Sequence, residues 1–473
     1  MNKKISAIAV IILLGLIGYA QNEASKIYTL EECVAIALKN NLEIQSSILS
    51  AHSAKINLQQ AKADLLPTLN GNFNLGVNNG RSIDPFTNDF INQELTFSNL
   101  GLRLNMTVFN GFRLINIAKQ NSLNKKAANM EVEASKQDLV LNVTLAYLQV
   151  LNSKAILQLT EQRYETTKEQ LKIQKEFYKN ESGNPADYLD ILGQLANDET
   201  SILDAHSDLN NARLSLSRLL NLKENITIEN KDFFLDFKPY GLSVNEVYLE
   251  TVANLAIFQA NKSRLEAAEK GVSIAKSQFT PEVSIFGGLN SNYSSVAQIF
   301  NSTGQSIVET GDFVTIDGQD FQVMTQQTSF NPERIGYREQ LDNNLNTVIG
   351  IGVRVPIFNG FRAKNNVALE KIKVKESIVE LQRTHLEVEN AIDQIYFDME
   401  VAYKRLQSLL KQLEAYEESF RVNDIRFRNG ISNFLNYINS KNNLDNAKVN
   451  FVNTKYEYLL FVRVLDYYRG NVL

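Results

Sequence analysis

A chain of 473 residues with a formal charge of −5, 22 glycines and 7 prolines is longer than one ordinary domain, yet no Gly/Ser/Pro-rich linker divides it into independent globules. Its single cysteine, Cys33, excludes an intrachain disulfide, and mild acidity without a basic stripe argues against nucleic acid as a partner. After the N-terminal segment no run reaches the roughly 18 uninterrupted apolar residues of a transmembrane helix, so a membrane crossing must use strands.

In chain order, residues 1–20 read as a secretory signal: Lys3 and Lys4, an apolar stretch from Ile5 to Ile17, then Gly18-Tyr19-Ala20, with cleavage after Ala20. About 13 apolar residues are short for a membrane anchor, and no cysteine follows them to carry a lipid. Removing Lys3 and Lys4 takes the formal charge from −5 to about −7. A first repeat is expected over 21–221: a helix from Leu30 to Asp64, a strand pair at 68–78 and 99–109, a long helix from Phe112 to Lys179, a tip at 181–186 and a helix from Ala186 to Asn221. Residues 222–241, with Phe233-Phe234-Leu235-Asp236-Phe237, form a linker. A second repeat is expected over 242–473: a helix from Ser243 to Gln278, a strand pair at 281–290 and 347–358, a long helix from Phe361 to Asn429, a tip at 429–432 and a helix from Ser432 to Arg469.

The chain reads as one unit written twice. Phe109-Asn110-Gly111-Phe112-Arg113 and Phe358-Asn359-Gly360-Phe361-Arg362 lie about 249 residues apart, and each closes an alternating segment and opens a helical one. At the same offset the segment from Asp187 to Leu195 lines up with Asn436 to Leu444. Upstream, Asn41-Leu42-Glu43-Ile44 resembles Asn254-Leu255-Ala256-Ile257 at an offset shorter by roughly 35 residues. Most of that difference falls between the two strands, where the connection is short in the first half and long in the second.

Each of the four strand segments has the length of a tilted membrane strand, about 9 to 11 residues. In the first, Leu69, Phe73, Leu75 and Val77 alternate with Asn70, Asn72 and Asn74. In the second, Arg103, Asn105 and Thr107 point one way, as does Arg354 in the fourth, which suits a water-filled lumen behind a lipid-facing surface. The pattern equally fits a half-buried antiparallel sheet in a soluble protein. Four strands cannot enclose an aqueous channel, since even about eight leave only a side-chain-filled interior, and open edges are excluded from lipid. Membrane strands here must therefore be pooled by several protomers, and a trimer supplies about twelve.

The two long helices, roughly 68 residues each, would reach about 100 Å, and the shorter ones about half that. Two short helices end to end thus match one long helix. Ile202, Ala205, Leu209, Ala212, Leu216 and Leu219 follow coiled-coil steps of three and four, and Phe451, Thr454, Tyr458, Phe461, Leu465 and Tyr468 repeat them. Glycine and proline punctuate the tips at Gly183-Asn184-Pro185, and Gly430-Ile431-Ser432 does so in the second half, with Ser432 as the expected N-cap.

With these parts in place, the chain resembles the TolC-like outer-membrane efflux family. The likeness rests on Val355-Pro356-Ile357-Phe358-Asn359-Gly360-Phe361, on Leu30-Glu31-Glu32 with Ala37-Leu38-Lys39-Asn40-Asn41, on the glycine tips and on Ala212-Arg213-Leu214-Ser215-Leu216. The resemblance implies an α+β membrane protein: a homotrimer whose four strands per protomer form a twelve-stranded barrel in the outer membrane of a Gram-negative bacterium, with long antiparallel helices forming a periplasmic tunnel. It implies a periplasmic adaptor protein and an inner-membrane transporter as partners, with Gly183, Asn184, Pro185, Gly430, Ile431 and Ser432 as docking tips. Segments from about Asn78 to Asn99 and from about Ser291 to Asn346 would face outside. The family constricts its tunnel entrance with carboxylates one turn beyond the second glycine tip; here those positions are Asn436 and Asn439, and their first-half counterparts are Asp187 and Asp190. An acidic ring must come from the first half, or these two residues serve only a helix N-terminus.

Enzyme motifs are missing. His52, His206 and His385 are scattered over helical segments, and no H-E-x-x-H, C-x-x-C, G-x-S-x-G or P-loop pattern occurs, so neither a metal nor a cofactor is expected. The reading is a passive exit duct for an efflux or type I secretion system, against a secreted coiled-coil scaffold or a secretion-system hydrolase.

Overall fold

The computed structural model describes residues 27–83, 88–92, 94–180, 184–223, 226–229, 238–429 and 431–471. The expected signal at 1–20, the segment 233–237 and the tip glycines Gly183 and Gly430 lie outside the described residues. In chain order the chain forms β1 (Ile27–Tyr28), α1 (Leu30–Asn40), α2 (Leu42–Ala63), β2 (Thr68–Asn78), β3 (Arg81–Ile83), β4 (Phe90–Asn92), β5 (Leu95–Phe109), α3 (Arg113–Lys179) and α4 (Pro185–Leu220). There follow β6 (Thr227–Ile228), α5 (Val244–Asn254), α6 (Ala256–Lys276), β7 (Glu282–Ser294), β8 (Gln298–Ile316), β9 (Gln319–Arg334), α7 (Tyr337–Asn343), β10 (Asn346–Arg354), α8 (Arg362–Arg428) and α9 (Phe434–Tyr468). Two compact units result: Met1–Lys55, Leu123–Leu265 and Lys375–Leu473 make one, Ile56–Ser122 and Glu266–Val374 the other.

In the helical unit, α1 and α5 open on capping boxes. Thr29 accepts from Glu32 N while Glu32 accepts from Thr29 N, and Ser243 and Glu246 repeat the exchange. The expected single helices over 30–64 and 243–278 are each broken. Asn41 turns extended (ψ 127°) and its Oδ1 accepts from Glu43 N at 2.8 Å and Ile44 N at 3.1 Å, so one residue ends α1 and caps α2. Leu255 makes the same turn without a polar side chain; Gln137 Oε1 on α3 instead accepts from Ala256 N at 3.2 Å. Capping boxes and breaks share an offset of about 214 residues, one more than the Asn41/Asn254 alignment.

One buried cluster is built mainly from the first half, with Leu459 of α9 added, and another from the second half alone. Cys33 on α1, Val143 and Tyr147 on α3, and Leu216 on α4 belong to one buried cluster; Val247 on α5, Ile392 and Met399 on α8, and Leu465 on α9 belong to another. Burial pushes the Cys33 thiol up to about 12, with Glu32 and Glu31 adding to it, so this cysteine is an inert packing group. One 18-residue window of α3 has mean hydropathy 1.2, enough for a membrane span by composition, but half of it is buried. Its apolarity belongs to the first core.

In the strand unit, β10, β7, β5 and β2 form one antiparallel sheet in that order. Three strands depart from expectation. β5 starts at Leu95 rather than 99, β7 continues to Ser294 rather than 290, and β10 stops at Arg354 rather than 358 because Pro356 has no N–H for a ladder. The connection expected as a loop from Ser291 to Asn346 is largely β8 and β9, a separate two-stranded ribbon closed by Asp317 (φ 48°) and Gly318 (φ 82°), followed by α7.

The duplicated pentapeptides are the strand-to-helix joints. Gly111 and Phe112 both take left-handed φ, 65° and 63°, as do Gly360 and Phe361 at 63° and 58°. The reversal brings Phe109 edge-on to Phe112 at 5.5 Å and Phe358 edge-on to Phe361 at 5.5 Å. The helices that leave these joints, α3 and α8, are both 67 residues long.

Candidate functional site

The sheet has two chemically opposite faces. Cross-strand register puts Leu69 beside Leu104, Phe73 beside Leu100, Leu102 beside Leu289 and Ile285 beside Ile351, all on one face. This face is apolar and open, with Ile349 81% and Ile351 70% exposed. On the other face Asn70, Arg103 and Gly288 are in register, as are Thr68, Asn105 and Phe286, and Asn74, Asn99 and Asn292 make a row of amides. Arg354 shares that face, 3.8 Å from Glu282. Here two phenylalanines lie over cross-strand glycines, Phe97 over Gly76 and Phe286 over Gly350, each ring filling the space that a Cβ on the glycine would need. Within the sheet, β2 and β10 are the outer strands, and neither has a second strand neighbour among the described residues.

At the distal tips, Asn184 caps α4, its Oδ1 accepting from Ala186 N at 3.1 Å with Pro185 in the first helical turn. The cap of α9 is Asn433, accepting from Asn436 N at 3.0 Å, and not the expected Ser432; Asn433 stands where Asn184 stands in the first half. Ile431 is exposed. Asp187 sits in the first turn of α4, where Asn184 Nδ2 donates to its carboxylate at 3.3 Å. Desolvation raises its pKa and the charge of Asp190 raises it further, the Asn184 bond opposing both. Asn436 and Asn439 are exposed near the start of α9. Ile191 packs with Phe434 and Tyr437, so the starts of α4 and α9 touch, and stacking of Tyr178 on Tyr188 at 4.9 Å ties α3 to α4.

Sequence reasoning missed a buried charge network above these tips. Asp198 on α4, wholly buried, accepts from Arg163 Nη2 at 2.6 Å, Gln194 Nε2 at 2.7 Å and Thr167 Oγ1 at 2.5 Å. Arg163 lies 4.0 Å from Asp445 on α9, to which Lys441 donates at 2.8 Å. The signal was present: Asp198 falls one heptad after Ile191 and one before Ala205, both buried, so a carboxylate occupies a core position.

A sheet with an open apolar face, joined twice to helices of 67 residues, defines a strand-anchored membrane protein with long paired helices. The chain matches the model of the family described as "Outer membrane efflux protein" over residues 34–222 and 249–466, and it belongs to that family. It is an outer-membrane protein. Toxin and drug export protein A of Aggregatibacter actinomycetemcomitans is 23% identical over 346 residues, covering 69% of this chain and 71% of that one. The fold matches that of VceC from Vibrio cholerae with a TM-score of 0.74 at 14% identity, covering 93% of this chain and 96% of that one. It also matches the CmeC outer membrane channel of Campylobacter jejuni, TM-score 0.73 at 18% identity, covering 94% and 86%.

Proposed function

We propose that three copies of this chain close a twelve-stranded barrel in the outer membrane and that the helices continue it as a periplasmic duct, through which an inner-membrane transporter and its periplasmic adaptor expel substrate. One observation carries this reading: a four-stranded sheet with an exposed apolar face and two outer strands still able to pair. Each unsatisfied backbone group in hydrocarbon costs several kcal/mol. Pairing β10 of one copy with β2 of the next removes the edges.

In such a barrel the apolar face meets outer-membrane lipid, and Arg103, Asn105 and Arg354 line the lumen. The matched joints and capping boxes support reading the chain as one unit written twice, with 222–241 as the link. The tips dock the adaptor, and Asp187 and Asp190, three pairs in a trimer, form an acidic aperture beside Asn436 and Asn439. The duct performs no chemistry of its own.

The test is direct. Outer-membrane fractions run on a gel without heating should contain a trimer that heat converts to monomer; a soluble monomer in the periplasm or medium would sink the duct and favour a secreted scaffold.

A further inference from the structure

The short helix α7 lies against the outer end of the sheet's apolar face and is pinned there. Gln340, 1% exposed, donates from Nε2 to Ser294 O at 3.0 Å and Ile335 O at 2.8 Å, and accepts from Ser294 N at 2.9 Å. Ser291 Oγ donates to Leu341 O at 2.7 Å, Asn344 Nδ2 donates to Asn292 O at 2.8 Å, and Tyr337 packs on Tyr293 with ring centroids 4.8 Å apart. Between this fixed helix and the sheet runs a cleft of about 600 Å³. Its walls are mainly Phe73, Leu100, Leu102 and Leu289 from the strands with Leu341 and Leu345 from the helix and its exit.

Three observations decide what enters it. The cleft opens from the same face that carries exposed Leu69, Phe73 and Ile351, in a protein of the outer membrane. Its walls offer little to water, and filling them with hydrocarbon gains roughly 25 cal/mol per Å² of apolar surface covered. The Tyr293/Tyr337 pair closes the end of the apolar face, as aromatic residues do where hydrocarbon meets head groups. We propose that this cleft seats an acyl chain of an outer-membrane lipid, held by shape between α7 and β2, β5 and β7. The proposal rests on the bilayer-facing reading of the apolar face.

The chain contains no tryptophan, so one introduced residue is a unique reporter. Full-length Leu341→Trp and, as a reference on the open face, Ile349→Trp are reconstituted in phosphatidylcholine vesicles with brominated acyl chains. Both should lose most of their emission relative to unbrominated vesicles, while aqueous iodide leaves Leu341→Trp bright. If Ile349→Trp is quenched and Leu341→Trp is not, protein covers the cleft, a second copy included, and the proposal falls while the membrane reading stands. If neither is quenched, the membrane reading fails and the proposal with it. Leu345→Trp, at a position 61% exposed, gives the same readout should Leu341→Trp fail to assemble. Native mass spectrometry should find lipid retained by the detergent-extracted wild type and lost from Gly71→Leu, whose side chain enters the cleft; a wild type without lipid overturns the seat.

Discussion

Arg163 donates to Asp198 at 2.6 Å, joining α3 to α4 through a carboxylate that no water reaches. Asp198 also takes Thr167 and Gln194, while Arg163 reaches towards Asp445 on α9, so three helices meet at one compensated set of charges. Removing one partner from a buried pair leaves the other uncompensated, at a cost of about 3 to 5 kcal/mol. Asp198→Ala should therefore lower the temperature at which the proposed trimer dissociates on a gel. Asp198→Leu with Arg163→Met should restore much of that loss, because an apolar pair of similar volume needs no solvation. A double variant as weak as the single would show that Arg163 matters for Asp445 rather than for Asp198.

The pH dependence of the first tip follows from Asp187. Its folded-state pKa is raised by desolvation first and by Asp190 second. A raised acid binds more protons when folded, so its contribution to stability is greatest below the unfolded-state value and is lost as pH rises through the folded one. Protease resistance at the start of α4 should fall as pH rises from the ordinary aspartate range into the mildly acidic range above it. Asp187→Asn should flatten that dependence; an unchanged slope would assign it to another group.

In the aperture reading, Asp187 and Asp190 concentrate cations at the duct entrance. Asp187→Asn with Asp190→Asn should abolish block by divalent cations in planar-bilayer recordings or raise single-channel conductance. Acidification should weaken block in the wild type as Asp187 takes up its proton. Unchanged currents would reject these two residues as the constriction.

How much of this could be read beforehand depends on local signals. β2 could be read because Leu69, Phe73, Leu75 and Val77 keep strict alternation against asparagine. The β8–β9 ribbon could not, because bulges between Ser302 and Gly304 and between Glu309 and Phe313 shift the face on which apolar residues fall. Only its Asp317-Gly318 turn was a readable hairpin signal. The breaks at Asn41 and Leu255 involve neither proline nor glycine, and at Leu255 the partner that makes the break tolerable, Gln137, is distant in sequence. Asp187 and Asp190 were found as a pair by offset. Asp198 was passed over because its meaning comes from Arg163, on another helix.

Phe286 and Gly350 give a test of the sheet. A Cβ added to Gly350 would enter the Phe286 ring, so Gly350→Ala forces the ring off its cross-strand seat. Overpacking of this kind costs typically about 1 to 3 kcal/mol, and assembled protein in the outer membrane should decrease. Gly350→Ala with Phe286→Leu should recover assembly, since the smaller side chain vacates the site. A double variant no better than Gly350→Ala would show that the glycine serves pairing of the β10 edge rather than room for the ring.

The two joints carry the same five residues, yet their glycines are not equivalent. Gly111 (φ 65°) and Gly360 (φ 63°) both need left-handed backbone, so alanine at either costs about 1 to 2 kcal/mol in conformation. At Gly360 an added Cβ meets nothing within 4 Å, whereas at Gly111 it would collide with the Thr280 side chain, itself held by a 2.7 Å bond from Oγ1 to Ser277 O. Gly111→Ala should therefore impair assembly more than Gly360→Ala, and Thr280→Ala should narrow the difference. Heat-dissociation temperatures of Gly111→Ala and Gly360→Ala, each with and without Thr280→Ala, measure this. Equal losses at the two glycines, unaffected by Thr280→Ala, would mean that backbone strain is the whole effect and that Thr280 yields without cost.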